Sequence, residues 1–323
     1  MEISSITELI ELVQKYRGSR KRPRDENTVA YNLDFEKLIH SIEPLKKLNA
    51  LIGMEDVKKD IIDQLLFYSQ GLNTNEMMHT CLTGPPGVGK STLGKILAEL
   101  YCTMGLLKTD NFKVVSGSDL ISGYVGQTAL KTLKVLKSSL GGVLFIDEAY
   151  SLGNVKGTES DSFSRDCVDT INKFLSENTS NFIMIIAGYR EDLDNCFFSI
   201  NRGLRRRFPW TYNIDKYTPS NLKDIFVYQV LENQWKIDES LKLNGYSELL
   251  RIFSDPQFDN NGGDTLMLFD KTKICHSRRV FGKRQKYKKT INLTDITLAF
   301  ELLKIHKNKT KTKTQEAPFG MYV

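Results

Sequence analysis

The stretch that most constrains this chain is Gly84-Pro-Pro-Gly-Val-Gly-Lys-Ser-Thr92. Its glycines admit backbone conformations and close approaches that a Cβ obstructs, so successive N–H groups can turn toward a single anion. Pro86, Gly87, Val88 and Gly89 form the cradle. Lys90 brings a mobile ammonium to the terminal phosphates of a nucleotide, Ser91 offers a hydroxyl to the Mg2+ that bridges them, and Thr92 completes the phosphate-side set. A glycine-rich turn alone is ordinary structural punctuation. Here Lys-Ser stands at the right spacing, His79–Thr83 reads as a short strand, and Ser91–Tyr101 reads as a helix with Leu93, Ile96, Leu97 and Leu100 on its apolar face. Strand, turn and helix in that order predict an α/β domain that binds a nucleoside triphosphate.

Further strands are expected at 112–115, 142–148 and 182–187, alternating with helical patterns, which suits a parallel sheet covered on both faces. The second carries chemistry. Val143–Ile146 is the continuous apolar run of a strand buried on both sides, and Asp147-Glu148 follow at its end, where open α/β sheets bind ligands. Asp147 is expected to hold Mg2+ through water, and Glu148 to polarise the water that attacks the γ-phosphate. Two carboxylates that merely end a strand are common, but a phosphate loop upstream in the same sheet argues for the chemical role.

No apolar run approaches the roughly 18 to 20 residues of a membrane span, and the polar start is unlike a secretory signal, so an intracellular, soluble, cytoplasmic protein is expected. Five cysteines without a Cys-x-x-Cys pair argue against a disulfide framework or a zinc site. The net charge of +6 is uneven, because residues 271–313 hold 14 Lys and Arg against 2 acidic residues and the remainder is net negative. That region reads either as a solvated face or as a surface for an acidic partner, nucleic acid included. The run Arg17–Arg24 also matches a nuclear localisation signal.

With both halves of the nucleotide site placed, the chain resembles AAA+ ATPases, and among them the CbbX and sporulation-stage-V-protein-K group. The resemblance spans roughly Leu48–Trp210. Ile52-Gly53 resembles the adenine-side segment, and Val115–Thr132, with Tyr124-Val125-Gly126, resembles the central-pore region. Gly141–Leu152 resembles the Walker B block, and Asn201–Phe208 the arginine-finger segment. This implies an αβα P-loop core with a parallel sheet over 46–212, followed by a small all-helical lid over 213–306. An N-terminal helix and basic linker precede them over 1–45, and 307–323 is expected to be a disordered tail with a possible docking segment at 317–323. The resemblance further implies ATP and Mg2+ as ligands and a homo-oligomeric ring, usually of six subunits. Arg205 and Arg207 would reach the neighbour's γ-phosphate, with Arg206 the weaker candidate, and Tyr189 stands where a γ-phosphate sensor is expected. Where the family's lid carries arginines toward ATP, this chain has Gly263 and Leu266, while Arg278 and Arg279 lie some 20 Å further along the helix.

The function expected is an ATP-driven, chaperone-like remodeller that grips a protein client with Tyr124. Alternatives are a nucleic-acid-associated ATPase using the basic C-terminal region and a weakly hydrolysing, nucleotide-gated scaffold. Rubisco activation, the task of the CbbX members, is not carried over, since the N-terminal extension, the basic C-terminal region and the lid positions depart from that pattern.

Overall fold

The structure, a computed structural model, describes residues 3, 5–17, 35–72, 77–153, 162–179, 181–243, 246–284 and 287–315. Most of the basic run near Arg17–Arg24 and all of 317–323 lie outside these residues. The chain divides into two compact units: 1–85 with 89–215, and 216–323 with Pro86–Val88.

The first unit begins with four helices, α1 (Ile6–Arg17), α2 (Phe35–His40), α3 (Ile42–Ala50) and α4 (Glu55–Ser69). The apolar spacing expected near residues 3–16 buries Ile6, Leu9 and Val13, and α1 packs on α2, α3 and α4. There follow β1 (Thr80–Thr83), α5 (Lys90–Thr103), β2 (Phe112–Val115), α6 (Gly117–Leu120), α7 (Thr128–Lys137), β3 (Val143–Ile146) and α8 (Ser162–Glu177). Then come β4 (Ile183–Gly188), the one-turn helices α9 (Arg190–Asp192) and α10 (Phe198–Ile200), and β5 (Trp210–Asn213).

All five strands run parallel in the order β2-β3-β4-β1-β5. Alternation sorts the strand side chains. Leu144, Ile146, Met184 and Ile186 enter a core with Leu136 of α7 and Cys167, Val168 and Ile171 of α8. Phe145 turns to the other face, against α5 at Gly94. Continuous burial of β1, β3 and β4 is what a sheet covered on both sides requires. β5 was not anticipated. It follows Pro209, its exposed and buried residues alternate, and it forms the sheet edge.

The second unit holds α11 (Pro219–Glu232), α12 (Glu239–Leu243), α13 (Ser247–Phe253), α14 (Gly262–Val280) and α15 (Leu293–Gln315) around Phe226, Phe253, Leu268, Phe269, Phe300 and Leu303. Thr218 caps α11 as its spacing predicts, accepting from the N–H of Asn221. At α15 the cap is Asn292, whose Oδ1 accepts from the N–H of Asp295 at 3.0 Å. Two short strands, β6 (Lys236–Ile237) and β7 (Thr290–Ile291), also pair in this unit. α15 continues past Lys307, where the lid was expected to have ended. Lys307 Nζ donates to Asp264 Oδ2 and Asp259 Oδ1, each at 2.6 Å.

Candidate nucleotide site

The chain leaves β1 at Thr83 and turns through Gly84–Gly89 into α5, so Lys90, Ser91 and Thr92 form the helix's first turn. Gly87 and Gly89 sit at φ +72° and +88°, in the left-handed region where a side chain is strained. Lys90 Nζ donates to the carbonyls of Gly84 and Pro85, at 2.9 Å each. Partial burial lowers its pKa, an effect opposed by Asp147 and Glu148. The ammonium is thus held by two loop oxygens at the position from which it can swing to a phosphate.

β3 places Asp147 opposite this turn, two strands from β1 in the sheet. Ser91 Oγ donates to Asp147 Oδ2 at 3.0 Å, and Asp147 Oδ1 accepts from the N–H of Glu148. No cluster of three or more His, Cys, Asp or Glu suited to a metal occurs among the described residues. One hydroxyl beside one carboxylate is nevertheless the donor set Mg2+ takes from a protein when nucleotide phosphates and water fill its other positions. Ser91 and Asp147 would hold that ion, which supplies charge neutralisation between the phosphates.

Glu148 is exposed and has φ +49°, a left-handed conformation uncommon outside glycine. Burial and the nearby Glu148 carboxylate push the Tyr150 phenol up to about 12. Tyr150 stacks on Tyr189, with ring centroids 5.6 Å apart, and Lys90 Nζ lies 5.4 Å from the Tyr189 ring centre. Tyr189 therefore meets Lys90 through its ring face. Tyr150, which joins this cluster, was not singled out from the sequence. Its only signal was its place two residues after Glu148.

The model of the "ATPase family associated with various cellular activities (AAA)" matches residues 80–215. The cfxQ-like protein R730 of Acanthamoeba polyphaga mimivirus is 41% identical over 282 residues, covering 86% of this chain and 68% of its own. Stage V sporulation protein K of Bacillus subtilis is 32% identical over 269 residues, covering 79% and 82%. The chain belongs to the AAA ATPase family.

As an AAA ATPase of the sporulation-protein-K-like group it hydrolyses ATP. The ESX-3 secretion system protein EccA3 of Mycobacterium tuberculosis is also similar, 33% identical over 234 residues, but only 36% of its length is matched. Two solved structures share the fold. They are the FIGL-1 AAA domain in complex with ADP, with a TM-score of 0.57 at 20% identity over 79% of this chain and 83% of that one, and a point mutant of Thermotoga maritima RuvB, with 0.56 at 22% over 80% and 73%.

Ile52 and Gly53 are half-buried between α3 and α4, with Gly53 at φ +71°. Tyr124, Val125 and Gly126 form the exposed link between α6 and α7; Tyr124 is 73% and Val125 88% exposed. Arg205, Arg206 and Arg207 occupy one 3-10 turn before β5. Arg205 donates to Asp194 Oδ1 at 2.5 Å and stacks 4.6 Å above Phe198, which holds its guanidinium half-exposed at the surface. Arg206 is exposed. Arg207 is turned inward: its Nε is buried without a hydrogen-bond partner among the described residues, and its charge acts on His79. Gly263 and Leu266 begin α14, with Leu266 45% exposed. No helix among the described residues is long and apolar enough to cross a membrane.

Proposed function

We propose that this chain is one subunit of a ring that couples ATP hydrolysis to movement of a bound polypeptide gripped by Tyr124 and Val125. The observation that carries this reading is their exposure. An aromatic and a β-branched residue lie 73% and 88% open to water on a link ended by Gly126 at φ +77°. The two side chains are neighbours on one short link, so a single bound chain could meet both. An aromatic face contacts a chain of any sequence.

In this reading Lys90 and Ser91 hold the phosphates and their Mg2+, Asp147 fixes the ion, and Glu148 orients the attacking water. Tyr150 keeps the Glu148 carboxylate in place. Arg205 completes the site of an adjacent subunit, prepared for that task by Asp194 and Phe198. Arginine fingers contribute about 10³ to 10⁵ in rate.

The test measures ATP turnover with and without an unfolded protein, in wild type, Tyr124→Ala and Glu148→Gln. Stimulation by the unfolded chain is expected in wild type and lost in Tyr124→Ala. Glu148→Gln should retain ATP without turning it over and hold the client. Stimulation that survives Tyr124→Ala but responds to single-stranded nucleic acid would sink the remodeller reading. It would move the partner site to the basic segment around Lys283 and Arg284, where Phe281 is 90% exposed.

A further inference from the structure

The tip of the phosphate loop, Pro86–Val88, belongs to the second unit by its contacts. Its three consecutive carbonyls are all engaged there. Pro86 O accepts from Asn261 Nδ2 at 3.0 Å, Gly87 O from the N–H of Gly262 at 3.0 Å, and Val88 O from the Tyr217 hydroxyl at 2.8 Å. Asn261 and Tyr217 are themselves joined, since the N–H of Tyr217 donates to Asn261 Oδ1 at 3.0 Å. The arrangement leaves no space at the tip: a Cβ on Gly87 would lie 2.0 Å from the carbonyl oxygen of Asn260.

The geometry of the peptide unit turns these contacts into a statement about phosphate binding. In a planar trans peptide the C=O of one residue points opposite to the N–H of the next, and no peptide bond among the described residues is cis. Fixing the carbonyls of residues 86, 87 and 88 on donors of the second unit therefore aims the N–H groups of Gly87, Val88 and Gly89 the other way. None of those three donates to a carbonyl among the described residues. They form the row of inward-facing amides that a phosphate requires.

We infer that Asn261 and Tyr217 are positioning residues for ATP: they hold the outer face of the loop so that its inner face presents three aligned N–H groups. Asn261 is built for the task. It is 1% exposed and sits at φ +50°, ψ −122°, a strained conformation that the surrounding contacts must maintain. Its amide is used at both ends, as donor to the loop and acceptor from Tyr217. Two further groups support this position. Asp264, at 1% exposure, accepts from the N–H of Asn260 at 2.8 Å, and Lys307 holds Asp264 from α15. Burial pushes the Tyr217 phenol up to about 12, so it remains a donor throughout the neutral range. Where related lids carry arginine this chain has Gly263 and Leu266, and the neutral donors Asn261, Gly262 and Tyr217 meet the loop backbone instead. This role in ATP binding is independent of the ring and of Tyr124.

The test compares Tyr217→Phe, Asn261→Asp and Asn261→Gly with wild type, each checked for an unchanged melting temperature, by titration with ATP and with ADP and by steady-state turnover. Tyr217→Phe keeps the ring and removes only the donor. Asn261→Asp keeps the acceptor for Tyr217 but sets a carboxylate against Pro86 O. Asn261→Gly relieves the backbone strain and removes the side chain. Each is expected to weaken binding of both nucleotides by about tenfold, the order of one lost hydrogen bond, and to raise KM by the same factor, with kcat at saturation within about threefold of wild type. Wild-type affinity in Tyr217→Phe, or wild-type affinity in Asn261→Gly with a loss only in kcat, would overturn the assignment. If the Asn261 variants do not fold, Tyr217→Phe decides alone.

Discussion

At the scale of single residues, His79 shows what the sheet demands of a polar group. It precedes β1, is fully buried between Phe182 and Phe208, and accepts at Nδ1 from the N–H of Met184. An imidazole that accepts there is neutral. Burial, reinforced by the charge of Arg207, lowers its pKa from 6.5 to about 3. Between those values the unfolded chain takes up a proton that the folded chain refuses. Stability is therefore full above about pH 6.5 and falls as the pH drops toward 3, by about 1.4 kcal/mol per pH unit from this group. Replacing His79 by Gln, which retains an acceptor for Met184, should flatten the dependence of the urea midpoint between pH 6.5 and 4. An unchanged slope would assign the dependence to other groups. His79 was read from the sequence only as a strand residue, whereas Lys90, Ser91, Asp147 and Glu148 were legible as chemistry. The difference is physical. Those four lie close together along the chain or at a strand end, while the neighbours that set the His79 environment come from residues 182, 184, 207 and 208, which only the fold brings near.

Among elements, the fit of α5 against β3 is the most exacting. A Cβ on Gly94 would stand 2.5 and 2.7 Å from two ring carbons of Phe145, whose side chain is fully buried. Gly94→Ala should cost about 1 to 3 kcal/mol as overpacking, seen as a lowered denaturant midpoint with unchanged slope. Phe145→Leu in the same chain should recover part of that loss; strictly additive effects would show that the two positions do not meet. A second element-level prediction concerns α15. Lys307→Ala leaves the buried Asp264 carboxylate without its cation, which costs about 3 to 5 kcal/mol when such a pair is broken. Lys307→Met combined with Asp264→Asn should be less destabilised than Lys307→Ala alone, and equal losses would argue against the pair. α5 and the strands β3 and β4 were readable because their apolar spacing or runs are long or continuous. β5 and the cap at Asn292 were not. Trp210–Asn213 is a half-buried edge strand without an apolar run, and Asn292, Thr294 and Asp295 are all chemically able to cap, so only geometry selects among them.

For the whole molecule, the ring reading predicts that specific ATPase activity rises with protein concentration and that Arg205→Ala removes the rise while leaving ATP binding intact. Activity per subunit that is flat over a hundredfold dilution range and unaffected by Arg205→Ala would count against it. The chain divides into two units near residue 215, and the assignment of Pro86–Val88 to the second of them carried no signal in the sequence. No periodicity marks a loop whose carbonyls are claimed by residues 217, 261 and 262.

The order of the strands also sets a schedule for the growing chain. Thr80 of β1 pairs with Ile185 on one side and Trp210 on the other. At about 5 to 20 residues per second of synthesis, β1 emerges roughly 5 to 25 s before its partners exist. Its buried side chains, Cys81 and Leu82, spend that interval without a sheet to enter. Nucleotide cannot shorten the wait, because the donors at 217, 261 and 262 are made later still. A nascent chain of this protein thus carries β1, a strand paired on both sides in the finished sheet, long before the residues that hold the phosphate loop have been made.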